Sequence, residues 1–138
     1  MLQDVLKTEQ IADEAVLAAK LSKASGPIFG PLDTKEKFIQ VAIEQRKGIV
    51  FGGTAEGTYT CTMISAKAGH GEYNEQAITF FTEFMHKELG IPGERGFIFL
   101  INPGTNNIGF CGETLQTLAP RVGLASYLES GEKPEVNK

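Results

Sequence analysis

The stretch GIVFGGTAEGTYTCTMIS, running from Gly48 to Ser65, decides the fold. An apolar run, a double glycine and an alternating segment follow one another without a break. A phosphate cradle at Gly52-Gly53 would need a helix to open there, with backbone N–H groups converging on an anion. Instead the glycines lead into a β-rich segment with no Lys-Ser/Thr after them, so a turn or bend is the better reading. Beyond them Tyr59, Cys61 and Met63 alternate with Thr60, Thr62 and Ile64, the pattern of a strand with one buried face. The glycines are read as a sharp bend where a side chain would crowd the neighbouring backbone.

Working upstream, KFIQVAIEQ alternates as well, with Ile39, Val41 and Ile43 on one face. GPIFGPLD, residues 26–33, carries two prolines and two glycines and reads as a loop. Residues 4–25 read as a first helix, with Val5, Ile11, Ala12, Ala15, Val16, Ala19 and Leu21 on its apolar stripe. MLQDVL suits that helix at least as well as a strand. Working downstream, Asn74 is a good N-cap for a helix over EQAITFFTEFMHKEL, with Ile78, Phe81, Met85 and Leu89 at helical spacing and Gly90 ending it. GFIFLIN is a continuous apolar run, read as a strand buried on both faces. IGFCGETL reads as a short extra strand, and the polar end of the tail as disordered.

The chain has 138 residues, 41% of them hydrophobic, and a net charge of −4, which suits one domain with a modest core. No basic stripe with interleaved aromatics points to nucleic acid. No apolar stretch approaches the ~20 residues of a membrane span. MLQDVLKTEQ does not read as a signal peptide, so the expected address is the cytoplasm, with export lacking such a peptide as the alternative. The two cysteines, Cys61 and Cys111, lack metal-ligand or CxxC spacing and read as reduced, partly buried thiols. His70 reads as a solvent-exposed loop residue and His86 as a favourable charge at a helix C-terminus. No nucleophile elbow and no carboxylate pair stands out, and Phe80, Phe81 and Phe84 read as core.

Several separated pieces agree in order and spacing with one known pattern. They are VFGGTAE, the strand to Ser65, the loop to Asn74, the helix end KELGIPGERGFIF, and NNIGF. As a block, Gly48 to Leu115 resembles the macrophage migration inhibitory factor family of the tautomerase superfamily. That family shows a Phe-Gly-Gly-Ser/Thr turn, a helix ending Leu-x-Ile/Val-x-x-x-Arg, and an Asn-x-Gly-Trp/Tyr segment. The resemblance implies an α/β (α+β) fold in which two βαβ units form a four-stranded sheet with two helices packed on one face. It also implies a homotrimer with short strands crossing between subunits. Residues 1–116 would form the domain, with a short, altered or missing first strand and a loop insertion at 26–33. Residues 117–138 would be a C-terminal extension.

The chemistry implied is keto–enol tautomerisation of phenylpyruvate-like or dopachrome-like compounds, an isomerase reaction without a cofactor. The family's base is an N-terminal proline; here position 2 is Leu, leaving the Met1 α-amine, with a reference pKa of roughly 7.7–8.0, as the substitute. The family's active-site lysine falls at Thr34, with Lys35 adjacent. Its backbone donor falls at Ala66 beside Ser65, and its pocket tyrosine and asparagine fall at Phe97 and Phe99. Its late pocket aromatic falls at Phe110, with Ile108 beside it. The family's CxxC reduces to Cys61 alone, with Thr58 at the first position, so thiol–disulfide activity is not implied. Activity is therefore expected to be weak or lost. The alternative is a non-catalytic trimeric binding or cytokine-like protein that keeps an apolar pocket and meets a protein receptor. Core and trimer packing is the preferred role of Phe97, Phe99 and Phe110. An unrelated α/β ligand-binding domain with a ferredoxin-like sheet is the remaining option.

Overall fold

The structure, a computed structural model, describes residues 2–5, 13–26, 28, 38–69 and 71–121. Met1, Thr34, Lys35, His70, most of the 26–33 loop and residues 122–138 lie outside them. Two βαβ units are present. The first runs β1 (Leu2–Val5), α1 (Glu14–Ala24), β2 (Ile43–Gln45) and the second β3 (Thr58–Ile64), α2 (Gly71–Leu89), β4 (Gly96–Ile101). They join in a four-stranded sheet of order β2-β1-β3-β4, parallel within each unit and antiparallel across the β1–β3 join.

The structure corrects the reading of the amino-terminal residues. Leu2–Val5 is a strand inside the sheet, pairing Leu2 with Ile43 on one side and with Cys61 on the other. A segment flanked by two ladders gains backbone hydrogen bonds on both edges, and this outweighs the weak local preference of Gln3 and Asp4. The helix consequently starts at Glu14, where the Asp13 carboxylate accepts from the N–H groups of Ala15 (2.9 Å) and Val16 (3.3 Å). Its buried stripe is Leu17 and Leu21, while Ala15, Val16 and Ala19 face outward, so the apolar face is turned from the one expected.

β2 is shorter than KFIQVAIEQ implied, because the residues ahead of Ile43 run past the end of β1. Their alternation survives all the same: Ile39 and Val41 are half-buried and Gln40 and Ala42 exposed. α2 begins at Gly71, ahead of Asn74, whose side chain reaches back to accept from the Gly69 N–H at 3.0 Å. Its buried residues are Ala77, Phe81, Phe84, Met85 and Leu89, with Ile78 exposed. The helix stops at Gly90, whose φ of +72° suits glycine.

The core lies between the helices and one face of the sheet, where Tyr59, Cys61 and Met63 meet Leu17, Leu21, Phe81 and Met85. Gly96 stands opposite Tyr59, and a Cβ there would come within 2.4 Å of the ring, so glycine is required for the close approach. β4 is not buried on both faces. Phe97, Phe99 and Ile101 on its far face remain 60%, 50% and 45% exposed. IGFCGETL is a hairpin, β5 (Gly109–Phe110) with β6 (Glu113–Thr114), followed by a short helix α3 (Leu115–Leu118). Cys111 at its tip is exposed, against the partly buried thiol expected.

Gly52 and Gly53, with φ of +60° and +85°, form a two-residue turn closed by paired bonds between Phe51 and Thr54 (2.9 and 3.1 Å). No atom lies near where a Cβ would sit at either position, so crowding is not the reason for glycine. The positive φ is. GIVF forms no strand beyond this bridge.

Candidate functional site

The strand directions bring three segments to one end of the sheet. Beyond Leu2, β3 continues past Cys61 to Ser65 and Ala66, and the approach to β2 runs back from Ile43 to Phe38. Ser65 and Ala66 are both buried there, in the turn between β3 and α2.

Nearly every donor in that turn is used internally. Ser65 N–H bonds the carbonyl of Ile101 (3.0 Å), and Ala68 N–H bonds that of Ser65 (3.2 Å). Lys67 N–H bonds Ser65 Oγ (3.1 Å), and Gly69 N–H goes to Asn74. The carbonyls of Ala66 and Ala68 accept the two N–H groups of Asn102, each at 3.0 Å. The Ala66 N–H has no partner among the described residues. Buried backbone donors are rarely left unpaired, so this one is a place where a ligand oxygen fits.

The turn also carries charge. The Lys67 ammonium lies 5.4 Å from the centre of the Tyr73 ring, and partial burial lowers its pKa from the ordinary lysine value. The Tyr73 hydroxyl sits 3.4 Å from Ser65 Oγ, and burial raises its pKa against the lowering effect of that contact.

Among the expected pocket aromatics, Phe110 is joined by a ring absent from the sequence reading. Phe38 packs edge-on against it at 5.5 Å. Its signal was its place at the head of the alternating KFIQVAIEQ, on the run-in toward the pocket end of the sheet. Ile108 is half-buried, and its carbonyl accepts from Leu115 N–H at 2.7 Å, which ties the β5–β6 hairpin to α3. Phe97 and Phe99 form a separate group. Phe97 stacks with Phe51 at 5.4 Å and with Phe99 at 6.1 Å. Phe97 pairs with Thr60, five residues before Ser65, which is about 17 Å along a strand. One chain therefore does not bring Phe97 to Ala66. Met1, Thr34 and Lys35 lie outside the described residues. Among the described residues no group of three or more His, Cys, Asp or Glu side chains is placed to hold a metal ion.

The architecture has counterparts among known proteins. Residues 5–116 match the family model described as Macrophage migration inhibitory factor (MIF). The chain belongs to the macrophage migration inhibitory factor family. It is 27% identical over 104 residues to a macrophage migration inhibitory factor homolog of Trichuris trichiura, covering 75% of this chain and 91% of that protein. The structure of the Prochlorococcus marinus homologue superimposes with a TM-score of 0.72 at 22% identity, over 83% of this chain and 96% of that one. A solved chain described as a fused 4-OT wild type asymmetric trimer gives 0.62 at 18% identity, over 85% and 97%. The MIF-like fold expected from the Gly48–Leu115 block is the fold observed, and the protein is a member of the tautomerase superfamily.

Proposed function

We propose that this MIF-family protein binds aromatic 2-oxo acids and their enols and interconverts them slowly. The observation that carries the reading is the Ala66 N–H, without a partner among the described residues, in a turn whose other backbone donors are spent. The approach to β2, whose Phe38 packs on Phe110, runs toward the same end of the sheet. In such a reaction a base removes a proton from the carbon next to the carbonyl. The electron pair moves into a carbon–carbon double bond, the oxygen gains negative charge, and protonation of that oxygen gives the enol. A positioned N–H stabilises the oxyanion, and the aromatic rings shelter the substrate's ring from water. On this reading turnover is slow because Leu2 stands where the resemblance puts the family's proline base, so that base is missing at this position. Self-association in threes belongs to the same reading. A solved neighbour is described as a trimer, and Phe97 and Phe99 would reach the Ala66 turn from an adjacent copy.

Enolisation of phenylpyruvate is the test. The expected rate stands above that of buffer and falls when benzoylformate, an aromatic 2-oxo acid with no proton to lose, is added. Leu at position 2 favours a second reading, a non-catalytic binding protein. Benzoylformate binding with turnover at the buffer rate would select it. Absence of both binding and turnover would remove both readings.

A further inference from the structure

We infer that Asn102 is a positioning residue of this site, acting through the Ala66 N–H on the oxygen of a bound 2-oxo acid; the inference rests on the function proposed above. Asn102 follows β4 directly, and its carboxamide bonds both neighbouring turns. Its two N–H groups each donate to one carbonyl of the β3–α2 turn, Ala66 and Ala68, and its oxygen accepts from Gly104 N–H at 2.8 Å. A planar amide that satisfies two carbonyls two residues apart fixes both peptide planes at once. The peptide carrying the Ala66 N–H is held from its other end, because its carbonyl, that of Ser65, accepts from Ala68 N–H. Ala66 is thus locked between Asn102 on its carbonyl side and the Ser65–Ala68 bond on its amide side. Its N–H keeps one direction with no partner among the described residues. A donor fixed before the ligand arrives needs no reorganisation when charge develops on the ligand, which is where such a donor is most effective.

The side-chain chemistry at position 102 is therefore specific. Asn102→Asp preserves shape and the bond from Gly104, and sets carboxylate oxygens against two carbonyl oxygens, which pushes the turn open. Asn102→Ala leaves both carbonyls to water and the turn unlocked.

The experiment titrates the full chain with benzoylformate and follows backbone amide signals by heteronuclear NMR, in the wild type and in both variants. In the wild type the Ala66 amide proton is expected to move downfield on saturation. Both variants are expected to bind about tenfold more weakly, with the Ala66 shift lost while signals of Phe38 and Phe110 still respond. Should Asn102→Ala fail to fold, Asn102→Asp carries the same comparison. Wild-type affinity in a folded variant, with the Ala66 shift intact, would overturn the role of Asn102 and leave the proposed function standing. A wild type that does not bind benzoylformate would overturn the proposed function itself, and this inference with it.

Discussion

Cys61 and Cys111 carry the same thiol in opposite settings. Cys61 is 1% exposed at the centre of β3, and burial pushes its pKa up to about 12 from a reference of 9.0. Cys111 is exposed at the tip of the β5–β6 hairpin, with φ of +56°. A thiol-specific reagent at neutral pH is expected to modify one cysteine per native chain, at Cys111, and both after denaturation; fast labelling of two in the native state would contradict this. Cys61 also sets an alkaline limit. Its folded pKa is raised, so the unfolded chain loses the proton first. The stability it contributes is complete below pH 9 and declines as pH rises from there towards 12, by up to about 1.4 kcal/mol per pH unit. Cys61→Ala is expected to flatten that decline in urea titrations at several pH values, and an unchanged slope would show that other groups control it. The burial of Cys61 was legible in TYTCTMIS, because strict alternation assigns a face to each residue. The exposure of Cys111 was not, because a cysteine in a turn of positive φ gives no hydropathy signal.

Arg95 shows how an element is held by a residue outside it. It ends a 3-10 turn after α2, and its guanidinium reaches across to the loop before β3. There it donates to the carbonyls of Gly57 (2.9 Å), Glu56 (3.0 Å) and Thr54 (3.3 Å) and lies over the Phe51 ring. The Phe51–Thr54 turn and the entry into β3 are thus tied to the start of β4, and Thr58 Oγ adds a bond to the Arg95 carbonyl. Arg95→Met, which keeps the stem and removes the donors, is expected to lower unfolding stability by about 2 kcal/mol, since several carbonyls lose a charged partner. Arg95→Lys should recover little of this, because an ammonium does not span the same three carbonyls. Chemical denaturation measures both, and a lysine variant as stable as the wild type would refute the fork geometry. At this scale β3, α2 and β4 could be read from sequence, because each is long enough for its period to show. β1 could not, since its four residues are ordered by ladders on both sides. The turn carrying Ala66 was legible only through resemblance. Its clamp, Asn102, was hidden because a side-chain bond between distant turns leaves no pattern along the chain.

At the scale of the whole molecule, the sheet has one covered face and one open one. The helices cover Tyr59, Cys61 and Met63, while Ile64, Phe97, Phe99 and Ile101 stand open on the other side. GFIFLI reads as fully buried in sequence, and one chain buries only half of it, because hydropathy does not record whether a face is covered by its own chain or by another copy. A contiguous apolar sheet face of this kind marks an interaction surface. In the proposed trimer each copy would cover its neighbour's face, and a ring passing from half-exposed to buried contributes on the order of 1–2 kcal/mol. A ring of three chains would also close on itself, which avoids open-ended association. Sedimentation velocity is expected to find a species of three times the 14.9 kDa chain mass. Phe99→Asp, at an open position that the core does not use, is expected to convert it to monomers that retain their helical circular dichroism. The same variant should lose phenylpyruvate enolisation, because in the proposed trimer Phe97 would meet the Ala66 turn only between chains. A wild-type protein that sediments as a monomer and still turns over phenylpyruvate would separate the site from the assembly and refute the shared pocket.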